Sequence, residues 1–474
     1  MRTLTILREL LPLTLSLIRD QRRFLYFGGP VTRSPAFHAR RAERMVAALG
    51  RLGPTFVKMG QVFAGRSDLL AEPYARAFAT LTDRVPPIGF GEVERVILES
   101  YGRPYAELFE FFDPEPIAAA SLGQVHRARY QGREVAVKVL RPGVAELVDQ
   151  DIVSARRILR VATRWFDHPH LRGLRTAVEE FALRIHEEMD FRLEGANAME
   201  FGRRFAGIRG IRIPGVIEEM IREQVLVLEY CPGERVDQLH DRIARGEIQP
   251  DTVVRRVLEL YIRMMLMDGL FHADPHPGNV LLAPDGALVL VDFGMVVKVS
   301  RARRRQILDT ALASIRRDPE GVVDGFFALG MVEPGTERAR IRALADAMLA
   351  LADRRTTATE RIEYLSQQLL SKMYDWPIVL PGDLVYFART AALIEGLGTC
   401  YDATFNPLLV ATPILFELRP QILAALADGE PTRAADWTRE LGDFLSRAGG
   451  ILRRAGEELK LLVGEKIFLG VKQR

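Results

Sequence analysis

Apolar positions along the chain switch between a helical and a strand-like period. From the N-terminus to about residue 108 the spacing is helical. Leu4, Leu7, Leu11, Leu15 and Ile18 recur on one face. Pro54, ahead of Phe56, Val57, Met59 and Val62, predicts a helix with proline in its first turn. Breaks fall at Gly28-Gly29-Pro30, Gly53-Pro54 and Pro86-Pro87. From Ile117 to Val139 the pattern changes. Gln124 to Tyr130 and Glu134 to Leu140 read as short strands joined by a turn at Gln131-Gly132-Arg133. Residues 144–205 return to helix. Gln224 to Glu229 reads as a buried strand, closed by a turn at Tyr230-Cys231-Pro232-Gly233. Residues 251–271 predict one amphipathic helix. Leu281-Leu282 and Ala287 to Val291 flank Pro284-Asp285-Gly286, a second hairpin, and beyond about residue 300 the chain is mainly helical. The expected class is therefore α+β: a helical extension over 1–108, a small β-rich lobe over 109–230 and a helical lobe over 231–474.

Composition narrows the class without deciding it. The chain has 474 residues, 48% hydrophobic and 27% charged, which excludes a wholly disordered or collagen-like protein. Two cysteines, Cys231 and Cys400, make neither a disulfide framework nor a four-ligand zinc site, and read as reduced, buried side chains. A net charge of +3 from 65 basic and 62 acidic residues gives no field for nucleic acid. No uncharged span reaches the length of a membrane helix; Ala403 to Phe416 is the longest and holds Pro407 and Pro413. The N-terminal stretch lacks a small-residue cleavage site, so no secretory signal is expected. Its leucine stripe lies among Arg2, Arg8, Arg19, Arg22 and Arg23. Such a helix either rests on a membrane surface or docks on the body of the protein. The expected location is cytoplasmic, peripheral on the inner face of a bacterial membrane.

The chemistry is concentrated in a few runs. His272-Ala273-Asp274-Pro275-His276-Pro277-Gly278-Asn279 sets Asp274 five residues before Asn279, the step between base and metal-binding asparagine in a protein-kinase catalytic loop. Asp292-Phe293-Gly294 follows thirteen residues after Asn279. Phosphoryl transfer from ATP needs a cation held by hard oxygens, and Asn279 and Asp292 carry them. A metal site from His272, Asp274 and His276 is the competing reading, which the Asp-Phe-Gly run disfavours. In Val135-Ala136-Val137-Lys138, strand alternation points Ala136 and Lys138 the same way. Lys138 is one of only seven lysines in a chain that otherwise uses arginine, which marks it as a position where a compact ammonium matters. Where a glycine-rich loop belongs, the chain has Ala118-Ala119-Ala120-Ser121-Leu122-Gly123-Gln124-Val125. Only Gly123 and Val125 match. Alanine forbids much of the backbone freedom that brings amides to a phosphate, so a nucleotide must be held differently there.

Together with Lys58-Met59-Gly60-Gln61 and Glu188-Met189-Asp190, these runs resemble the UbiB-type, or AarF, atypical kinases, and are similar to the mitochondrial and plastid coenzyme-Q kinases. The resemblance runs from about Pro54 to Asn406, with Glu395-Gly396 and Phe405-Asn406 late in the chain. It implies a protein kinase-like two-lobe fold with a helical extension, binding ATP and Mg²⁺ (or Mn²⁺), and a role in isoprenoid quinone biosynthesis. It implies Asp274 and Lys138 as catalytic. A nucleotide would be bound by Ala118, Ala119, Ala120, Ser121, Gly123, Val125, Ala136, Lys138 and Glu229, with Asn279 and Asp292 on the metal. Lys58 and Gln61 would form a lid over the site. Glu188 would pair with Lys58, with Asp190 next in line, and Glu194 with Lys138. On one continuous helix Glu188 and Glu194 would lie about 120° apart, so each lysine could have its own carboxylate; Glu187 would share the Glu194 face. Two departures stand out: Ala64-Gly65-Arg66-Ser67-Asp68-Leu69-Leu70-Ala71 differs from the usual Ser-Thr-Arg run, and the two C-terminal membrane helices of some bacterial members are not visible.

The expected function is an ATP-dependent phosphotransferase or ATPase acting on a lipid or small molecule at a membrane surface. The competing reading is a nucleotide-binding scaffold for quinone-modifying enzymes. The missing Ala-Pro-Glu motif and the lid weigh against an ordinary protein kinase.

Overall fold

The computed structural model describes residues 2–27, 34–64, 72–81, 86–165, 169–274, 276–333, 335–351, 381–402, 405 and 407–426. By internal contacts the chain divides into two units. One is Met1–Gly233 with Ala283–Met295, and the other is Glu234–Leu282 with Val296–Arg474.

The first unit opens with helices α1 (Arg2–Phe27), α2 (Pro35–Leu52), α3 (Pro54–Ala64), α4 (Glu72–Ala79), α5 (Phe90–Tyr101) and α6 (Tyr105–Leu108). Strands β1 (Phe111–Ala119), β2 (Gly123–Tyr130) and β3 (Arg133–Leu140) follow, then α7 (Val144–Trp165), α8 (Pro169–Met189), α9 (Phe191–Phe205), β4 (Ile211–Arg212) and β5 (Val225–Glu229). The main sheet has the order β1-β2-β3-β5. Alternation explains its faces: Val135, Val137 and Val139 are fully buried, with Val93, Val96 and Ile97 of α5 in the same core cluster. Ala136 and Lys138 take the other, half-open face.

Sequence periodicity missed β1. Pro114 and Pro116 argue against a strand, since proline donates no ladder hydrogen bond. The structure accommodates them on an edge strand whose register with β2 shifts on either side of Pro116. Residues 144–205 are likewise not continuous: Asp190 separates α8 from α9.

Helix α1 docks within this unit through fully buried Ile6 and through Arg2, whose Nη2 lies 2.9 Å from an oxygen of buried Asp151. The stripe singled out from spacing is not the docking face: Leu4, Leu11 and Leu15 are exposed.

The second unit holds β6 (Glu234–Arg235), α10 (His240–Ala244), α11 (Pro250–Ile262), β7 (Leu270–His272) and β8 (Val280–Leu282). After β9 (Leu288–Leu290), which belongs to the first unit and pairs in parallel with β4, come β10 (Val296–Lys298), α12 (Arg301–Arg316), α13 (Pro319–Ala328), α14 (Arg338–Leu351), α15 (Gly382–Tyr401), α16 (Pro407–Glu417) and α17 (Arg419–Leu426). Strands β7 and β10 pair antiparallel, as do β6 and β8. The helix expected over 251–271 stops at Ile262. A π-helical turn, Arg263–Asp268, follows, and left-handed Gly269 leads into β7. Met264 in that turn is fully buried, a packing residue. Cys231 is buried, and burial pushes its thiol up to about 11. Cys400, in the last turn of α15, is exposed, against expectation.

Among the described residues no helix is long and apolar enough to cross a membrane.

Candidate functional site

The centre of the first unit is an ionic cluster on the open face of β3. Lys138 Nζ donates to both oxygens of Glu194 at 2.8 and 2.7 Å and to Asp292 Oδ2 at 3.3 Å. It also lies 5.1 Å from the centroid of the Phe191 ring. Glu194 is 3% exposed. Burial alone would depress the Lys138 pKa, but the carboxylates of Asp292 and Glu194 outweigh it and hold the ammonium above its ordinary range. Burial pushes Glu194 up, against the pull of Lys138.

Helix α9 reaches the Asp-Phe-Gly turn with one face. Glu194 accepts from Phe293 N–H at 3.2 Å, Asn197 Nδ2 donates to Phe293 O at 3.0 Å, and the ring of Phe201 lies 5.2 Å from that of Phe293. The spacing i, i+3, i+7 puts all three on one side of the helix. Asn197 and Phe201 were not singled out from sequence, although their spacing from Glu194 was the available signal. Asp292 has φ of 68°, a left-handed backbone uncommon outside glycine, and its Oδ1 accepts from Gly294 N–H at 3.0 Å.

The ion pair expected between Lys58 and Glu188 is present. Lys58 on α3 forms an ion pair with Glu188 on α8. A Cβ on Gly294 would lie 3.7 Å from Cγ of Glu188, so this carboxylate stands beside the Asp-Phe-Gly turn. Gln61 Nε2 donates to Leu81 O at 3.1 Å. Gly60 packs closely, since a Cβ there would meet the tip of the Leu81 side chain at 2.4 Å and push it aside. Asp190 is not a second partner for Lys58. It caps α9 through Arg192 N–H at 3.0 Å and pairs with the Arg192 guanidinium, whose hydrogen bond holds it below the usual carboxylate range. Glu187 pairs with Arg184. The two carboxylates diverge because they occupy different helices, not because one helix rotates between them.

The Ala-rich run is a strand, a tight turn and a strand. Ala118 pairs with Val125 and Ala119 with Gln124, and Ala120 N–H closes the turn on Gly123 O at 2.8 Å. Ser121 is buried. A Cβ on Gly123 would meet Val139 O at 2.7 Å, so glycine is needed for strand contact. Val125 lies opposite Lys138 in the ladder. Glu229 lies opposite Val135, on the face away from Ala136 and Lys138, and its carboxylate accepts from Gly215 N–H at 3.2 Å.

In the second unit, Asn279 Nδ2 donates to Asp274 O at 3.0 Å and to Asp274 Oδ2 at 3.2 Å. His272 is fully buried, its Nδ1 3.4 Å from the Tyr261 hydroxyl. His276 Nδ1 accepts from Gly278 N–H at 3.1 Å. Among the described residues no group of three or more His, Cys, Asp or Glu could hold a metal, so the competing His272–Asp274–His276 site does not form.

Residues 80–325 match the ABC1 atypical kinase-like domain. The chain belongs to this family. An uncharacterized protein of Synechocystis is 31% identical over 403 residues, 84% of this chain and 68% of the relative. The chloroplastic protein ACTIVITY OF BC1 COMPLEX KINASE 7 of Arabidopsis thaliana is 31% identical over 423 residues, 88% of this chain and 60% of its own length. The ABC1-family protein Rv3197 of Mycobacterium tuberculosis, solved as a complex with erythromycin, aligns with a TM-score of 0.50 and 25% identity, over 76% of this chain and 92% of that one. The fold of this ABC1 chain is thus kinase-like and α+β. The matched span contains Lys138, Glu194, Asp274, Asn279 and Asp292, whereas Lys58 and Gln61 precede it.

Proposed function

We propose that this ABC1-family chain is an ATP-dependent phosphotransferase or ATPase. The observation that carries the reading is the Lys138–Glu194–Asp292 cluster. An ammonium braced from behind by a buried carboxylate is held ready for phosphate oxygens. Val125 and Ala136 line the same strand face and leave room for an adenine; Glu229 would contribute backbone only. The Ala118–Gly123 turn would cover the phosphates. Asn279 uses its amide N–H groups on Asp274, which leaves its side-chain oxygen as the donor suited to a hard cation. The Asp292 carboxylate and, in the other unit, the Asn279 side chain each carry the hard oxygen suited to Mg²⁺ or Mn²⁺. The cation, when bound, neutralises charge on the transferring phosphoryl group. Asp274 would accept the acceptor's hydroxyl proton.

The proposed setting is the inner surface of a bacterial membrane, with a lipid or quinone-precursor target in support of isoprenoid quinone biosynthesis, alongside quinone-modifying enzymes. Family resemblance and the exposed Leu4, Leu11 and Leu15 on an arginine-bearing helix support it. The closed Lys58–Glu188 latch beside Gly294 favours a second reading, a nucleotide-binding scaffold with slow turnover. ATP hydrolysis by the purified chain, with and without anionic liposomes and a quinone-precursor mimic, tests both. Stimulated, Lys138-dependent turnover supports the enzyme; MgATP binding without turnover supports the scaffold.

A further inference from the structure

Besides its internal Ala120–Gly123 bond, the Ala-rich turn is held by bonds from Arg141, which lies outside every motif, and by a neighbouring chain of bonds through Gln124. Arg141, just past the end of β3, donates its backbone N–H to Leu122 O at 2.8 Å. Its Nε donates to Ala120 O at 3.0 Å and its Nη2 to Pro86 O at 2.9 Å. One guanidinium therefore joins the turn to the segment entering α5. Beside it, Ile88 N–H donates to Gln124 Oε1 at 2.9 Å, Gln124 Nε2 lies 2.8 Å from His126 Nε2, and His126 Nδ1 lies 2.8 Å from Asp113 O. The directions are forced. Ile88 is a donor, so Gln124 presents its oxygen there and its amide N–H to His126; His126 Nε2 must accept, and its proton sits on Nδ1, facing Asp113 O. Gln124 and His126 are 1% and 0% exposed, so the centre of this chain of bonds is buried. Leu81, whose carbonyl Gln61 holds, lies five residues before Pro86.

We propose that Arg141, Gln124 and His126 form a clamp through which the helical extension sets the shape of the Ala-rich turn, making them positioning residues for the nucleotide. This rests on the nucleotide reading above and deepens it: the extension regulates the site from the Pro86–Ile88 side as well as through Lys58. The physical need is plain. A glycine-rich loop finds its shape by backbone freedom, whereas an alanine turn must be given one from outside.

Two readouts on the full chain separate the clamp from the nucleotide reading. Amide hydrogen exchange without nucleotide should show Ala120 and Ile88 exchanging on the order of tenfold faster in Arg141→Ala, with the melting temperature little changed. His126→Leu should do the same at Ile88. His126→Gln, which can both accept and donate, should restore protection. Arg141→Lys, which reaches one carbonyl rather than two, should fall between wild type and alanine. MgATP should then bind Arg141→Ala several-fold more weakly, raising KM while kcat at saturation stays near wild type. Unchanged exchange at Ala120 and Ile88 overturns the clamp, whatever happens to nucleotide affinity. Faster exchange with unchanged MgATP affinity overturns the link from turn to nucleotide. Wild type that fails to bind MgATP overturns the functional reading, while the exchange data still decide the clamp.

Discussion

Two lysine–glutamate pairs flank the break between α8 and α9, and they are built for different purposes. Lys138–Glu194 is two-pronged, with a carboxylate 3% exposed that also accepts from Phe293 N–H. Lys58–Glu188 joins helices at the edge of the extension, with side chains 14% and 23% exposed. The first brings a third charge, Asp292, into the same cluster. The second stands beside Gly294 of the Asp-Phe-Gly turn. Removing one partner strands the other in proportion to its burial, so Glu194, 3% exposed, is stranded more severely than Glu188 at 23%. The inner pair, with the more deeply buried carboxylate, is therefore expected to be the costlier one to break, and the role proposed for the outer one is a latch.

The comparison breaks most visibly at the inner pair. Glu194→Ala should cost about 3 kcal/mol of stability, because Lys138 loses its brace and Phe293 N–H its acceptor; urea unfolding measures it. Lys138→Ala and Asp292→Asn should each reduce nucleotide turnover by roughly a hundredfold or more and remove the thermal shift given by MgATP. Lys138→Met adds a pH signature. With the ammonium gone, burial acts on Glu194 against only the Phe293 N–H bond, so its folded pKa rises further above the unfolded value. The folded state then binds the extra proton, and its stability is greatest below the unfolded carboxylate pKa and falls as pH rises. The stability gap between Lys138→Met and wild type should shrink from pH 8 to pH 5.

Changes to the outer pair should be smaller. Lys58→Glu and Glu188→Lys should each alter turnover several-fold, and the double swap should recover part of it. A double variant no better than either single removes the pairing. Lys58→Arg should also impair turnover, since a planar fork does not fit a latch built around an ammonium. The smallest effect belongs to Ala120→Gly, which loosens the turn by about 1 kcal/mol and shifts the ratio of ADP to ATP affinity. Equal ratios in wild type and variant would show that the turn does not cover the phosphates.

Local pattern revealed part of this arrangement and hid the rest. Strands β2 and β3 were legible because Val135, Val137 and Val139 alternate with Ala136 and Lys138 around a two-residue turn. The edge strand was not, because Pro114 and Pro116 obey the rule for edges rather than the rule for strands. The α8–α9 break is invisible in the pattern because helical composition continues through it; only the Asp190 cap marks it, and the motif offers that aspartate as the candidate after Glu188 for Lys58. The strand after the π-turn was hidden for a similar reason, since Leu270 and Phe271 extend the apolar rhythm of α11. Asn197, Phe201 and Arg141 act across long sequence separations, and periodicity reports only neighbours.

The prolines of β1 also protect the molecule from its own kind. An open sheet edge is a row of unpaired donors and acceptors on which another chain can build. On β1, Pro114 and Pro116 carry no N–H to offer an incoming strand, and the irregular register breaks the straight edge a fibril would need. At the opposite side β5 is covered: Ile217 N–H donates to Val227 O, and Glu229 N–H to Gly215 O. Replacing Pro114 and Pro116 by valine would restore a strand-forming run to the sheet's edge. The expected result is an unchanged fold that assembles at high concentration, seen as light scattering absent from the parent chain.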